Sequence, residues 1–113
     1  MGNTQQVIHS VTDAASLRAA RDITYAEFKK TQAVGKLTKQ LCKLSDQLLI
    51  HLWNSCNLHN EAALVAVGGF GRGALFPYSD IDILILLPAD EKIAADLSKK
   101  VEHFVTRCWD TGI

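Results

Sequence analysis

The sequence predicts a small domain of mixed α/β class in which helices lead and a short sheet follows. Three observations predict it. Leu37, Leu41, Leu44, Leu48 and Leu52 recur in steps of three and four, the mark of an amphipathic helix. Two short, largely apolar runs, Ala63 to Val67 and a second that opens with Asp80 and Asp82 and ends at Leu87, read as strands on either side of a glycine-rich turn. Helical spacing then returns with Ile93, Leu97, Val101, Phe104 and Cys108. A chain of 113 residues is long enough for one small unit with a real core. The pattern divides it into a helical segment over 1–60 and a strand-bearing segment over 61–113.

Residues before about Asp13 are polar and read as a loose start. Good helix formers follow to about Ala33, with Thr12 or Asp13 as N-cap and Gly35 as the stop. The apolar face of this first helix is thin: Leu17, Ala20, Ile23 and Phe28. The second helix is predicted from about Leu37 to Cys56, where Leu49, Trp53 and Cys56 widen the leucine stripe. Such a stripe is most often core, so both helices read as a preface packed on the sheet. Asn57 to Glu61 is a polar turn. Pro88 closes the second strand. The third helix is predicted from Ala89 or Asp90 to Asp110, with Asp90 and Glu91 at its positive end and Gly112 as its stop.

Apolar residues make up 48% of the chain and charged residues 21%, the ordinary balance of a globular protein. Lysine plus arginine and aspartate plus glutamate both number 12, and a formal charge of zero argues against a large nucleic-acid footprint. Arg18, Arg21, Lys29, Lys30, Lys36, Lys39 and Lys43 gather in the first part of the chain, where a solvated helical face accounts for them. Three cysteines in no paired motif, without a secretory leader, point to reduced thiols and a cytoplasmic location. Gln6 stands where a myristoylation signal needs Ser or Thr, and no apolar run reaches the ~18 residues of a membrane span. His51, Cys56 and His59 are zinc-type side chains, but structural zinc takes four ligands in tight spacings, and zinc is not predicted.

The chemistry concentrates between the two strands. Side chains at i and i+2 of a strand share a face, so Asp80 and Asp82 stand together while Ile81 points away. Beyond Asp82 the strand is apolar on both faces, which predicts a central, buried position. Two carboxylates at the mouth of such a strand are costly unless cations satisfy them, and Mg2+ suits oxygen ligands shared with phosphates. Gly68, Gly69, Gly71 and Gly73 permit positive φ and close approach to backbone amides, and Arg72 among them is a phosphate-shaped donor. A Walker A loop is excluded because Ala74 and Leu75 follow where Lys and Ser/Thr are needed. Gly69 to Ala74 satisfies a dinucleotide fingerprint in letters, but Pro77 and the next strand leave no room for its crossover helix.

Gly68-Gly69 followed by Ser79-Asp80-Ile81-Asp82 resembles the Gly-Gly/Ser and Asp-x-Asp signature of polymerase-beta-like nucleotidyltransferases. The whole run from Gly68 to Asp82 is similar to the amino-terminal domain of the bacterial PII uridylyltransferases, the uridylyltransferase/uridylyl-removing family of nitrogen regulation. The strong part covers Ala63 to Leu87, and a weaker likeness continues to Trp109-Asp110-Thr111-Gly112. Ala74 departs from the Glu that many members carry.

The resemblance implies a nucleotidyltransferase fold with amino-terminal helices, begun by 61–113 and truncated before the strand that brings a third carboxylate. An amino-terminal fragment of a larger enzyme, inactive alone, is the expectation. It implies transfer of UMP from UTP to a tyrosine of the PII signalling protein, with neither nucleic acid nor membrane as partner. Asp80 and Asp82 would hold two Mg2+ ions, and Gly68, Gly69, Arg72 and Ser79 would serve the nucleotide phosphates. The alternatives are a sibling adenylyltransferase acting on another protein and a non-catalytic nucleotide-sensing or docking module.

Overall fold

The computed structural model describes residues 11–58, 60–73, 75–77 and 80–113. Helix α1 spans Ala14–Thr31 and α2 Val34–Ser55; strand β1 spans Ala63–Val67, the single helical turn α3 Gly68–Gly71, strand β2 Asp82–Leu86, and helix α4 Glu91–Thr111. The two strands pair antiparallel, Val67 opposite Asp82 and Ala63 opposite Leu86. An antiparallel pair needs no crossover helix, which fits the short connection between them. No helix among the described residues is long and apolar enough to cross a membrane.

Asp13 caps α1 through a reciprocal box with Ser16: its carboxylate accepts the Ser16 N–H at 2.8 Å, and the Ser16 hydroxyl accepts the Asp13 N–H at 3.0 Å. The Ser16 N–H, and after it the Ser16 hydroxyl donating to the same carboxylate at 2.7 Å, hold the Asp13 carboxyl below its ordinary range. The helix stops at Gln32, not at Gly35. Gln32 takes the left-handed conformation, φ 56°, and its N–H closes on the Phe28 carbonyl at 2.7 Å. Gly35 instead lies in the first turn of α2. Asp90 caps α4 by accepting from the Lys92 and Ile93 N–H groups, and Gly112 ends it at φ 71°.

One buried cluster runs through the described chain, from Val11 and Leu17 through the α2 leucines to Phe70, Leu75, Leu97 and Phe104. The α2 stripe is buried as its spacing predicts. Trp53 meets Phe104 edge to face, ring centroids 5.1 Å apart, and so joins α2 to α4. Arg107 of α4 adds a hydrogen bond to the Ser55 hydroxyl. Two predicted core positions lie outside it. Ile23 and Ile93 are 43% and 48% exposed. In α1 the inward face runs through Leu17, Ala20 and Thr24, and Thr24 is buried because its hydroxyl donates to the Ala20 carbonyl at 2.9 Å.

The sheet corrects a further expectation. Strand β2 is not buried on both faces. Ile81, Ile83 and Ile85 pack against the core, whereas Leu84 and Leu86 are each 49% exposed. Their cross-strand neighbours Ala63 and Val65 are exposed with them, as is Val67 opposite Asp82. Among the described residues nothing covers this second face. An apolar run reads alike whether both its faces are covered or one stands open, so the sequence pattern does not distinguish the two.

Candidate functional site

The first two residues of the glycine stretch follow directly from β1. Val67 ends the strand with extended geometry, φ −130°, and Gly68 reverses the chain at φ +62°. The expected open turn is instead a short helical turn, closed by the Arg72 N–H on the Gly68 and Gly69 carbonyls at 3.2 and 3.1 Å. Positive φ falls on Gly68 and Gly73, while Gly69 lies within the helical turn. Two bonds tether the stretch to α2: the Leu75 N–H donates to the Thr38 carbonyl at 3.2 Å, and the Cys42 thiol to the Phe70 carbonyl at 3.6 Å. Phe70 and Leu75 are buried as anchors.

Two glycines are required by space. A Cβ on Gly71 would stand 2.6 Å from the Ala66 carbonyl oxygen, so only glycine lets the turn fold back on β1. A Cβ on Gly68 would stand 2.8 Å from Oδ2 of Asp82. The Asp82 carboxylate therefore lies against the Gly68 backbone, and the absent side chain makes the space it occupies. The glycine turn and the Asp-x-Asp segment are one site.

Asp82 opens β2, and Asp80 lies two residues ahead of it, just outside the ladder. The alternation of the strand nonetheless extends back through both: Asp80 and Asp82 are exposed, and Ile81 between them packs on the core. Neither carboxylate has an ion-pair or hydrogen-bond partner among the described residues. Two unpaired hard-oxygen donors on the open side, one held against a bare glycine backbone, suit a divalent cation shared with phosphates. Among the described residues no group of three or more His, Cys, Asp or Glu side chains gathers to hold a metal. Arg72 is exposed at the end of the helical turn. Ser79, expected beside the phosphates, and His59 and Ala74 lie outside the described residues.

Asp80 also lines a cleft of about 540 Å3 between α1, the segment around Phe76 and the end of α4. Arg18 and Arg21 line it from α1. Arg72 does not. Sequence reading assigned the two α1 arginines to a solvated face, because they stand about sixty residues from the motif and only the fold brings them to it.

A helix-backed antiparallel pair with Asp82 of Asp-x-Asp seated against Gly68 fits the nucleotidyltransferase class, and residues 49–113 match the nucleotidyltransferase domain family, to which this chain belongs. Among curated proteins it is similar to the bifunctional uridylyltransferase/uridylyl-removing enzyme of Cupriavidus pinatubonensis, 38% identical over 113 residues, which are all of this chain and 13% of the relative. The enzyme of the same name from Cupriavidus metallidurans is 41% identical over 97 residues, 86% of this chain and 11% of the relative. That from Burkholderia mallei is 43% identical over 99 residues, 88% and 11%. The chain thus spans between 11% and 13% of the length of these relatives. No solved structure matches it.

Proposed function

We propose that this chain supplies the nucleotide-handling part of a Mg2+-dependent uridylyltransferase, which moves UMP from UTP to a tyrosine of the nitrogen-regulatory PII protein in the cytoplasm. The observation that carries the proposal is the seating of Asp82 against Gly68, two residues from Asp80, which is also exposed and has no ion-pair partner among the described residues. The likeness to enzymes named as uridylyltransferases favours uridine over other bases. In the reaction the acceptor hydroxyl oxygen bonds to the α-phosphorus, the bond from that phosphorus to the β-phosphate oxygen breaks, pyrophosphate leaves, and the hydroxyl proton is lost to solvent.

Asp80 and Asp82 would hold the Mg2+ ions, which neutralise phosphate charge and make the hydroxyl more acidic. Gly68 and Gly69 keep side chains out of the way of the phosphates, and Ser79 and Arg72 serve the same phosphates as neighbours of the motif. Most of the acceleration comes from positioning and charge stabilisation.

The test exchanges the matching segment of the Cupriavidus pinatubonensis relative for this chain and follows label from α-phosphate-labelled UTP to PII, with ATP and CTP beside it. Transfer specific to UTP, and its loss in Asp80→Asn and Asp82→Asn versions with unchanged circular dichroism, is the expected result. Equal transfer by the parent and both variants would refute it, and preference for ATP would move the reading to an adenylyltransferase.

A further inference from the structure

We propose that Arg18 and Arg21 of α1 bind the polyphosphate of the nucleotide, so that the helical segment is part of the site and not only its support. The inference rests on the nucleotidyl-transfer reading and adds to it two residues outside the motif.

The two arginines are three apart on one helix, hence neighbours on its surface. Both line the cleft of about 540 Å3 that Asp80 also lines, together with Asp22, Tyr25 and Phe76. That volume lies within the roughly 300–1,000 Å3 of small-molecule sites. Arg18 is exposed, Arg21 is half-buried, and neither has an ion-pair or hydrogen-bond partner among the described residues. Their five-donor forks are therefore free for a ligand, and a guanidinium matches phosphate oxygens in pairs.

Charge balance gives the same answer. Asp22 and Asp80 alone would make the cleft doubly negative and repel a polyphosphate. The two arginines offset that charge. A nucleotide whose metal-bound oxygens face Asp80 can then turn its remaining oxygens to α1. Lys29, Lys30, Lys36, Lys39 and Lys43, the other basic residues of this part of the chain, do not line the cleft. A general solvated basic face does not explain why two of its members line a cleft with a motif aspartate.

The test is calorimetric titration of the Cupriavidus pinatubonensis relative, carrying this chain in place of its matching segment, with MgUTP, magnesium tripolyphosphate and uridine. It compares the parent with Arg18→Ala/Arg21→Ala, Arg18→Lys/Arg21→Lys and Asp80→Asn, all checked for equal helicity and melting. Charge-assisted hydrogen bonds are lost in the alanine pair, so affinity for MgUTP and tripolyphosphate falls about tenfold or more. Uridine binding is unchanged, the lysine pair recovers part of the affinity, and the dependence of log affinity on log salt becomes shallower. If Asp80→Asn weakens MgUTP binding while the alanine pair matches the parent, the inference is wrong and the nucleotide reading stands. A parent that binds neither MgUTP nor tripolyphosphate overturns both.

Discussion

Replacing Gly71 by alanine tests the packing that brings the glycine turn onto the sheet. The added methyl would stand 2.6 Å from the Ala66 carbonyl oxygen and 3.0 Å from its carbon. Both are backbone atoms of a paired strand, so neither can swing aside as a side-chain end would. Overpacking of this kind costs about 1–3 kcal/mol. The usual gain of about 0.5–1 kcal/mol for alanine over glycine in helical backbone works against it. A net loss of about 1–2 kcal/mol follows, and at about 2.1 cal/mol/K per residue of unfolding entropy the midpoint falls by about 4–8 °C. Gly35→Ala is the control. Nothing lies within 4 Å of its Cβ position and its backbone is helical, so the same chemical change should raise the midpoint by about 2–4 °C. Thermal unfolding followed by circular dichroism reads both. If Gly71→Ala melts at or above the parent, the turn does not press on β1 as described, and the steric account of this glycine fails.

Gly68→Ala should act on binding more than on folding: φ +62° costs a side chain about 1–2 kcal/mol, and the methyl pushes Asp82 off its seat. MgUTP affinity measured by calorimetry should drop at least tenfold. Asp80→Asn and Asp82→Asn remove like charge from a metal-free site, so their melting points should hold or rise slightly in chelator. Phe104→Ala removes a fully buried ring that meets Trp53 edge to face, and denaturant titration should show a loss of about 3–5 kcal/mol. Burial, then the neighbouring Cys56, pushes the Cys108 thiol up to about 11. Its folded value lies above the unfolded 9.0, so its contribution to stability is whole below pH 9 and is lost as pH rises through 11. Alkylation at pH 8 should accordingly be slow at Cys108 in the folded chain and fast in denaturant.

Much of the fold was legible because its signals are local. The leucine stripe of α2 has a period, the bounds of β1 are set by Ala63 and the first glycine, and α4 carries both its caps in sequence. The motif pair was legible because Gly-Gly and Asp-x-Asp occur together at a fixed distance. What escaped was set by partners. Gln32 ends α1 in a left-handed conformation that its residue type does not announce. Gly68 and Gly71 look like Gly69 and Gly73 until the Asp82 carboxylate and the Ala66 carbonyl are placed beside them. Ile23 and Ile93 are apolar letters on the wrong side of their helices, and the exposed Leu84 and Leu86 read as core because hydrophobicity does not report what covers it. Nothing local marks Arg18 and Arg21 as lining one cleft with Asp80.

The match to the nucleotidyltransferase domain begins at residue 49, and the structure makes that starting point informative. Leu49 lies well inside α2, downstream of Thr38 and Cys42, the two residues that tether the glycine turn. Cutting a gene where the domain match begins would deliver the motif without its moorings. It would also strip Leu37, Leu41, Leu44 and Leu48 from the cluster that includes Phe70 and Phe104. The domain match and the packing that holds the site have different borders here. An exchange between relatives should therefore carry α1 and α2 along with the strands, or the recipient will inherit the letters of the site in a chain that cannot hold them still.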